Sequence, residues 1–274
     1  MKKTNNLSKL FGVDLVKFYR VWPNLVWYFN TWLKLKKQWI SSKDKTFSKG
    51  KPLPCLNDRF EEGGTAKGQY FHQDLLVAQL IYQASPSKHV DVGSRVDGFV
   101  AHVAVFCPVE VIDVRPITTS SSNITFRQVD MMAEQNELVE YTQSLSCLHA
   151  LEHFGLGRYG DPIDFNGHRK GFANLTKILA PNGKLYFSVP IGERQRIEFN
   201  AHRIFSIPYL LKLFGEQELV VDSFHYIDDA GELLINQDWL SNIAQRTFNL
   251  THGCGIFTLL KKNPSDRVVT DTGY

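Results

Sequence analysis

The stretch Lys88–Gly98, with the sequence KHVDVGSRVDG, most constrains what this chain can fold into. It contains a short apolar strand, an acidic residue near the end of that strand, and then glycines. A glycine at the end of a strand lets the backbone turn tightly and lets a ligand lie against the main chain. The helix that follows such a turn presents free N–H groups and the positive end of its dipole. The stretch therefore predicts a ligand-binding turn between a strand and a helix.

About twenty residues further on, Val109–Asp113 has the pattern of a second strand that ends in a carboxylate. A glycine turn after one strand and an acid at the end of the next form the ribose site of Rossmann-like folds. Strand and helix patterns alternate between residues 88 and 262, which indicates a mostly parallel sheet with helices on both faces. The predicted fold class is therefore α/β and Rossmann-like, with an N-terminal helical segment.

The hydrophobic periodicity and the turn residues place the individual elements of this fold. Helices are predicted at 69–84, 99–106, 167–179 and 206–214, with a short one at 138–141. Strands are predicted at 89–92, 109–114, 124–129, 144–149, 184–190, 219–226 and 256–261. These elements predict three parts of the chain: an N-terminal segment with its linker at 1–60, a Rossmann-like domain at 61–262, and a tail at 263–274.

The N-terminal segment is unusual because residues 7–40 hold four of the five tryptophans, interleaved with lysine and arginine. Trp22-Pro23 is predicted to divide the segment into two helices. Two interpretations remain open. In the first, a helical hairpin packs on the main domain and buries its aromatic side chains. In the second, the segment makes a peripheral contact with an anionic membrane surface.

Composition excludes several other classes of protein. A hydrophobic content of 43% and a charged content of 22% indicate a folded chain, and a net charge of +3 gives no reason to expect a nucleic-acid partner. The four cysteines form no CxxC pair, which suits a reducing compartment. We find no signal-peptide pattern and no run of eighteen apolar residues. The predicted location is the cytoplasm, membrane-associated if residues 7–40 make the lipid contact.

Ligands of open parallel sheets bind at the carboxyl ends of the strands. That edge is predicted to carry Asp91, Gly93, Ser94, Asp113, Asp130 and the region 147–153. Asp113 can accept hydrogen bonds from two ribose hydroxyls. Asp130, or the main chain of Met131, can reach a base. The sequence therefore predicts a nucleoside site along this edge.

Three motifs beyond this edge have alternative interpretations. His149–His153 matches H-x-x-E-H, a zinc-protease pattern, but the strand that precedes it disfavours a metal site and we predict none. The loop 155–162 contains three glycines together with Arg158 and Asp161, and is interpreted either as a substrate-facing loop or as a plain connection. Farther along, His202 can act as a base and Arg203 can bind a carboxylate or phosphate, unless both cap the next helix.

These residues carry a resemblance to class I S-adenosylmethionine-dependent methyltransferases over about residues 70–262. Asp91-Val-Gly93-Ser94 is similar to the glycine-rich first motif of that family, and Asp113 to the acid after its second strand. Val129-Asp130-Met131 is similar to the adenine-side motif, and Leu151-Glu152-His153 to the "LEH" after the fourth strand. The segment 179–190 is similar to the turn and fifth strand of the family.

A closer resemblance is to an uncharacterised branch of that superfamily, domain of unknown function 268. The segments 148–162 and 199–203 are similar to its signatures. The resemblance implies S-adenosylmethionine as cofactor and a small polar acceptor, sugar-related because some members of the branch accompany surface-polysaccharide biosynthesis. It implies cofactor contacts from Asp91, Gly93, Ser94, Gly98, Asp113, Asp130 and Met131. An acceptor hydroxyl would need a base, for which His153, His168 and His202 are the candidates. Acceptor contacts are expected from Glu152, Arg158, Asp161 and Arg203.

The sequence departs from the family in the first motif. Arg95 and Asp97 stand where the family has its second and third glycines, and Gly98 comes one residue late. Arg95 is thereby expected beside the methionine end of the cofactor, where it can pair with the cofactor carboxylate. The alternative is that the fold has lost the cofactor and serves as a non-catalytic scaffold or binding protein in glycan or surface-polysaccharide biosynthesis.

Overall fold

The strands of the chain assemble into a central sheet. A computed structural model describes residues 15–44, 46–48, 50–60, 63–64, 66–118, 121–134, 137–235, 243 and 248–263, with the backbone alone for 15–20. The strands are β1 His89–Val92, β2 Val109–Asp113, β3 Ile124–Gln128, β4 Thr142–Leu148, β5 Leu179–Ile191, β6 Arg196–Glu198, β7 His202–Ile204, β8 Leu219–Ile227, β9 Leu233–Ile235 and β10 Gly253–Lys261.

The helices are α1 Leu15–Ser41, α2 Gln69–Ala84, α3 Ala101–Ala104, α4 Gly167–Ile178 and α5 Ile207–Glu216. Single-turn elements lie at Asp58–Phe60, Val96–Val100 and Leu151–His153. The chain divides into two compact units, residues 1–65 and residues 66–274, and each is described by itself. Within the described residues, no helix is both long and apolar enough to cross a membrane.

The sheet of the second unit has eight strands in the order β3-β2-β1-β4-β5-β10-β8-β9. The first five are parallel to one another, whereas β10 is antiparallel to both β5 and β8. The strand order reverses between β1 and β4, because β2 and β3 lie on one side of β1 and the later strands on the other. Such a reversal opens a crevice at the carboxyl ends of the strands, where ligands bind in open α/β sheets. The predicted α/β fold is confirmed.

Both faces of this sheet are covered, which explains why β1 and β2 are buried at every position. On one face, Val77 and Ile81 of α2 belong to the same buried cluster as Val111 of β2. On the other face, Phe172 of α4 lies with its ring centroid 5.3 Å from that of Phe187 of β5. Helix α5 begins at Ser206, whose hydroxyl accepts a hydrogen bond from the Tyr209 N–H.

Three local predictions need correction. Helix α1 continues through Pro23 and is not divided there, since proline has a helical φ and removes only one hydrogen bond from a long helix. Leu138–Tyr141 is a turn, because the Glu140 and Tyr141 N–H groups donate to the carbonyls of Lys177 and Ile178 at the end of α4. Residues 181–183, expected as a turn between the predicted helix at 167–179 and the predicted strand at 184–190, lie inside β5 as a bulge, where the pairing with β4 shifts from Leu179 to Lys184.

The short strands β6, β7 and β9 were not predicted, since three-residue strands carry no measurable period. The predicted tail at 263–274 lies outside the described residues except for Asn263. Of the N-terminal segment, residues 7–14 lie outside them as well.

Candidate functional site

A cleft opens at the carboxyl ends of β1, β2, β3 and β4. The residues of the predicted site that line it are Gly93, Asp113, Asp130, Met131, His153 and Asp161. The remaining predicted residues, Asp91, Ser94, Gly98, Glu152, Arg158, His168, His202 and Arg203, lie outside its lining. The sequence-predicted edge of the sheet thus contains a cleft, but only part of the predicted set faces it.

Gly93 forms the turn at the end of β1. Its φ is +79°, and a Cβ atom at this position would lie 2.8 Å from the Cβ of Ala150. Its N–H donates to the Ile112 carbonyl at 2.9 Å, which fixes the turn between β1 and β2. A side chain at this position would therefore clash with the loop after β4 and strain the backbone.

Asp91 supports this turn from beneath. Its carboxylate accepts hydrogen bonds from the Ser94 N–H at 3.0 Å, the Ser94 hydroxyl at 2.8 Å and the Ser146 hydroxyl at 2.5 Å. Burial raises the pKa of Asp91 to about 6. Because these hydrogen bonds engage Asp91 and Ser94 with each other and with Ser146, the pair shapes the turn without facing the cleft.

His89 and Asp91 are expected to give the fold opposing responses to acid. Burial lowers the pKa of His89 to about 3 from 6.5, so the unfolded chain binds that proton first and acid destabilises the fold between these values. The raised pKa of Asp91 acts oppositely, because between about pH 6 and 3.8 the folded chain binds the proton first. Asp91→Asn has no carboxyl group to titrate at this position and so lacks the offset. Its free energy of unfolding should therefore fall more steeply on acidification than that of the parent protein, by up to about 1.4 kcal/mol per pH unit.

Urea unfolding of the parent and of Asp91→Asn across the range from neutral pH to about 4 measures this difference. Comparing the two slopes cancels the titration of all other groups. Equal slopes would show that Asp91 does not titrate within this range.

Arg95 does not lie in the cleft. Its side chain is exposed, and its guanidinium holds the Asp97 carboxylate through two bonds of 3.0 and 2.7 Å. The expectation that Arg95 lies at the methionine end of a cofactor is therefore wrong for this conformation. Gly98, the displaced glycine, kinks the following turn with φ −122° and ψ −113°. It lies beside α2, where an added Cβ would meet the Asp74 carboxylate at 3.2 Å.

Asp113 lies at the end of β2 with its carboxylate on the wall of the cleft. Arg115, two residues later, holds both carboxylate oxygens at 3.0 and 2.7 Å and also lines the cleft. The Arg115 guanidinium in turn lies 4.4 Å from the ring centroid of Tyr159, which comes from the glycine-rich loop. Arg115 and Tyr159 were not predicted as site residues. For Arg115, the signal in the sequence was a basic residue two positions after Asp113, the acid at the end of the strand.

Asp130 and Met131 follow β3, as predicted, and both line the cleft. The Asp130 carboxylate accepts a hydrogen bond from the Met132 N–H at 2.8 Å, which shapes the turn. Asn174 of α4 holds the Met131 carbonyl at 2.8 Å and the Ala133 carbonyl at 2.7 Å. The turn after β3 is therefore held from the helix side, with Met131 buried against the core.

A buried carboxylate lies between two histidines after β4. The Oε1 atom of Glu152 is 2.9 Å from His149 Nδ1 and 3.7 Å from His153 Nε2. Burial opposes charge on His149, but the Cys254 sulfur, 3.2 Å from its Nε2, and the Glu152 carboxylate raise its pKa well above the usual range. Burial lowers the pKa of His153. Their surroundings therefore shift the two imidazoles in opposite directions, His149 toward the charged form and His153 toward the neutral form.

His153 is the one of the three predicted bases that lines the cleft with Gly93. Its Nδ1 lies 2.7 Å from the carbonyl oxygen of Ala201. That carbonyl can only accept, so Nδ1 carries the proton and Nε2 carries a lone pair. His153 therefore combines a neutral imidazole, a fixed tautomer and a position on the cleft wall.

His168 and His202 lie elsewhere. His168 Nε2 is bonded to the Tyr209 hydroxyl at 2.6 Å, and burial lowers the pKa of this histidine to about 4. His202 stacks on His252 with ring centroids 4.9 Å apart. Neither lines the cleft, because His168 faces α5 and His202 belongs to the β6–β7 hairpin.

The loop after β4 is organised by its own polar residues. Asp161 accepts from the N–H groups of Gly155 at 2.8 Å and Tyr159 at 3.1 Å, so this carboxylate holds the loop although it lines the cleft. Arg158 donates to the Ala201 carbonyl at 3.0 Å. Arg203 is buried and donates to the carbonyls of Phe154 at 2.6 Å and Phe165 at 3.2 Å. In this structure Arg158 and Arg203 therefore bind the backbone.

The H-x-x-E-H motif does not form one helix turn. His149 follows β4 with φ +48°, and only Leu151–His153 adopts a helical turn. The two histidines contact one carboxylate oxygen of Glu152, as described above. In the part of the chain that the structure describes, no three histidine, cysteine or acidic side chains converge as metal ligands would.

Comparisons with known proteins agree with this fold. The family described as "Caenorhabditis protein of unknown function, DUF268" matches residues 117–249. Among solved structures, the chain is similar to Haemonchus contortus phosphoethanolamine N-methyltransferase 2 in complex with phosphomonomethylethanolamine and S-adenosylhomocysteine. The TM-score is 0.50 at 11% identity, over 76% of this chain and 57% of that one.

It is also similar to the [4+2]-cyclase SpnF, with a TM-score of 0.50 at 13% identity over 69% of this chain and 80% of that one. No match was found among curated proteins. Identities this low show the fold alone. The resemblance predicted from the sequence is confirmed: residues 117–249 match the domain of unknown function 268, on a fold of the class I S-adenosylmethionine-dependent methyltransferases.

Proposed function

We propose that the protein is an S-adenosylmethionine-dependent methyltransferase that acts on a small polar, sugar-related acceptor. The observation that carries the proposal is the cleft at the reversal of strand order, where Gly93, Asp113 and His153 face one space. A tight glycine turn, a strand-end acid and a neutral imidazole are the groups that a nucleoside-linked group transfer needs.

The residues present fit the cofactor. The Gly93 turn has no side chain and leaves its backbone open to close approach by a ligand. Asp113 offers carboxylate oxygens to the two ribose hydroxyls, for which it must share or release Arg115. Met131 and Asp130 form the wall on the base side. When bound, S-adenosylmethionine supplies a methyl group on a sulfonium that is a good leaving group.

Because the cofactor carries this reactivity, the protein has mainly to align donor and acceptor and to remove the acceptor proton. His153 is suited to that task, since its Nε2 lone pair is unprotonated and its Nδ1 proton is held by the Ala201 carbonyl. The lowered pKa of His153 keeps it in the base form at neutral pH. Activity should therefore fall on acidification only below pH 6.5.

The acceptor class rests on the side chains of Arg115, Tyr159 and His153 in the cleft and on the resemblance of segments 148–162 and 199–203. The Tyr159 ring lies there, with the Arg115 guanidinium over its face and the His153 ring at its edge. An aromatic ring flanked by hydrogen-bonding groups suits a polyhydroxylated acceptor. The methyltransferase of Haemonchus contortus likewise binds a small polar molecule, phosphomonomethylethanolamine.

Calorimetric titration of the protein with S-adenosylmethionine and S-adenosylhomocysteine tests the proposal. We expect both to bind at one site, with ATP and NAD as nucleotide controls that bind more weakly. A parallel screen with radiolabelled cofactor and sugar-related acceptors then measures transfer. Absence of binding by both cofactor forms would contradict the proposal.

The alternative is a non-catalytic scaffold or binding protein. It is favoured by one observation, that Arg95 and Asp97 replace two glycines and pair with each other at the surface. The fold also serves other reactions, as the cyclase SpnF illustrates. Cofactor binding without transfer to any screened acceptor would favour this alternative.

A further inference from the structure

Helix α1 presents an open apolar face in the first unit. Trp22, Val26, Phe29 and Leu33 are spaced four, three and four residues apart, so they form one stripe along the helix. Their side chains are 75%, 59%, 57% and 55% exposed. The described residues of the first unit therefore leave these four side chains largely uncovered.

Around Asn24, the opposite side of α1 is covered by the unit itself. Asn24 is buried and accepts a hydrogen bond from the Arg59 guanidinium at 3.2 Å. The same guanidinium lies 4.6 Å from the Trp27 ring centroid. The segment around Arg59 thus packs on the side that bears Asn24 and leaves the stripe open.

All of the charged side chains of α1 are basic. Its 27 residues include five basic side chains, Lys17, Arg20, Lys34, Lys36 and Lys37, and no acidic one. Lys34, Lys36 and Lys37 are exposed at the end of the stripe. Their long stems allow the ammonium groups to reach past an apolar surface toward lipid phosphates. A protein partner with an apolar groove would not by itself require such a charge excess.

We propose that this face of α1 binds the surface of an anionic membrane, with the helix lying in the interface. The stripe enters the boundary between headgroups and acyl chains, and the lysine cluster at 34–37 contacts anionic headgroups. Exposed tryptophan suits this boundary because its ring is apolar while its N–H still reaches a hydrogen-bond acceptor. The proposal is independent of the reaction in the cleft.

Flotation of the full chain with phosphatidylcholine vesicles, with and without phosphatidylserine, tests this contact. We expect binding to the vesicles that contain phosphatidylserine. In the triple variant Lys34→Gln, Lys36→Gln, Lys37→Gln, affinity for these vesicles should fall on the order of a hundredfold, because each lysine near the surface contributes separately.

A matched pair of variants separates the apolar contact from charge. Phe29→Glu with Leu33→Glu adds two charges to the stripe, whereas Asn30→Glu with Gln38→Glu adds the same two charges outside it. The stripe variant should bind on the order of a hundredfold more weakly than the control, because two large side chains lose their burial. Equal binding by the two variants would overturn the proposal.

Two other occupants of this face give different results, each of which overturns the proposal. If a second copy covers the stripe, light scattering shows a dimer that only the stripe variant dissociates, without vesicle binding by the parent. If the rest of the chain covers it, the stripe variant alone melts at a lower temperature, again without vesicle binding.

Discussion

Replacing His153 by asparagine should reduce methyl transfer by roughly a hundredfold and leave cofactor binding nearly unchanged. Asparagine places an N–H near the position of histidine Nδ1, so it can still donate to the Ala201 carbonyl and preserve the loop. It lacks the Nε2 lone pair that the proposed function assigns as the base. The loss should therefore appear in turnover and not in the dissociation constant of the cofactor, as measured by single-turnover kinetics and calorimetry.

The other two sequence-predicted bases provide the comparison. His168 is bonded to Tyr209 and His202 is stacked on His252, outside the cleft. Alanine at either position should reduce turnover only as far as it destabilises the fold, which thermal melting reports. Wild-type turnover in His153→Asn would show that transfer proceeds on proximity alone or with another base.

Removing the carboxylate in Asp113→Ala should weaken cofactor binding by about 1.5–3 kcal/mol, roughly tenfold to a hundredfold. The reason is the loss of charge-assisted hydrogen bonds to the ribose from a side chain that is almost fully buried on the cleft wall. Isothermal titration with S-adenosylhomocysteine measures the effect without turnover. Unchanged affinity in this variant would show that the assignment of the ribose site is wrong.

Arg115→Gln is the control that distinguishes lost ribose contacts from a freed cation. In the structure Arg115 occupies both oxygens of Asp113, and Asp113→Ala leaves this guanidinium without that partner. If the ribose competes with Arg115 for the carboxylate, Arg115→Gln should bind the cofactor at least as tightly as the parent. A loss in Arg115→Gln equal to that in Asp113→Ala would instead mean that the ion pair is the binding unit.

The sequence predicted those elements that are set by a residue pattern within one short stretch of the chain. Short valine-rich runs, each with an acidic residue at or near its end, predicted β1 and β2, and both strands are buried at every position. Helix α1 and the turn at 138–141 show where local rules were insufficient. In α1, the single proline at position 23 did not interrupt a long helix. In the turn, hydrogen bonds to the end of α4 hold Glu140 and Tyr141 in a non-helical conformation.

For the candidate site, position along the chain predicted the edge of the sheet but not the direction of each side chain. Gly93, Asp113 and Met131 were placed correctly on the cleft, since each lies at or within three residues of the end of a strand there. Arg203 was expected at an acceptor and instead binds two backbone carbonyls. A buried cation of this kind cannot be recognised without knowing which carbonyls surround it.

The sequence by itself determined the order of the longer strands and helices of the sheet, the glycine turn after β1 and the acid at the end of β2, because strand periodicity and backbone conformational limits act over a few neighbouring residues. Only the tertiary structure decided that His153, and not His168 or His202, faces the cleft. It also decided that Arg115 covers Asp113 and that Arg95 turns to Asp97. These arrangements depend on hydrogen bonds and packing between residues that fold into proximity, and no pattern along the chain encodes the direction in which a side chain points.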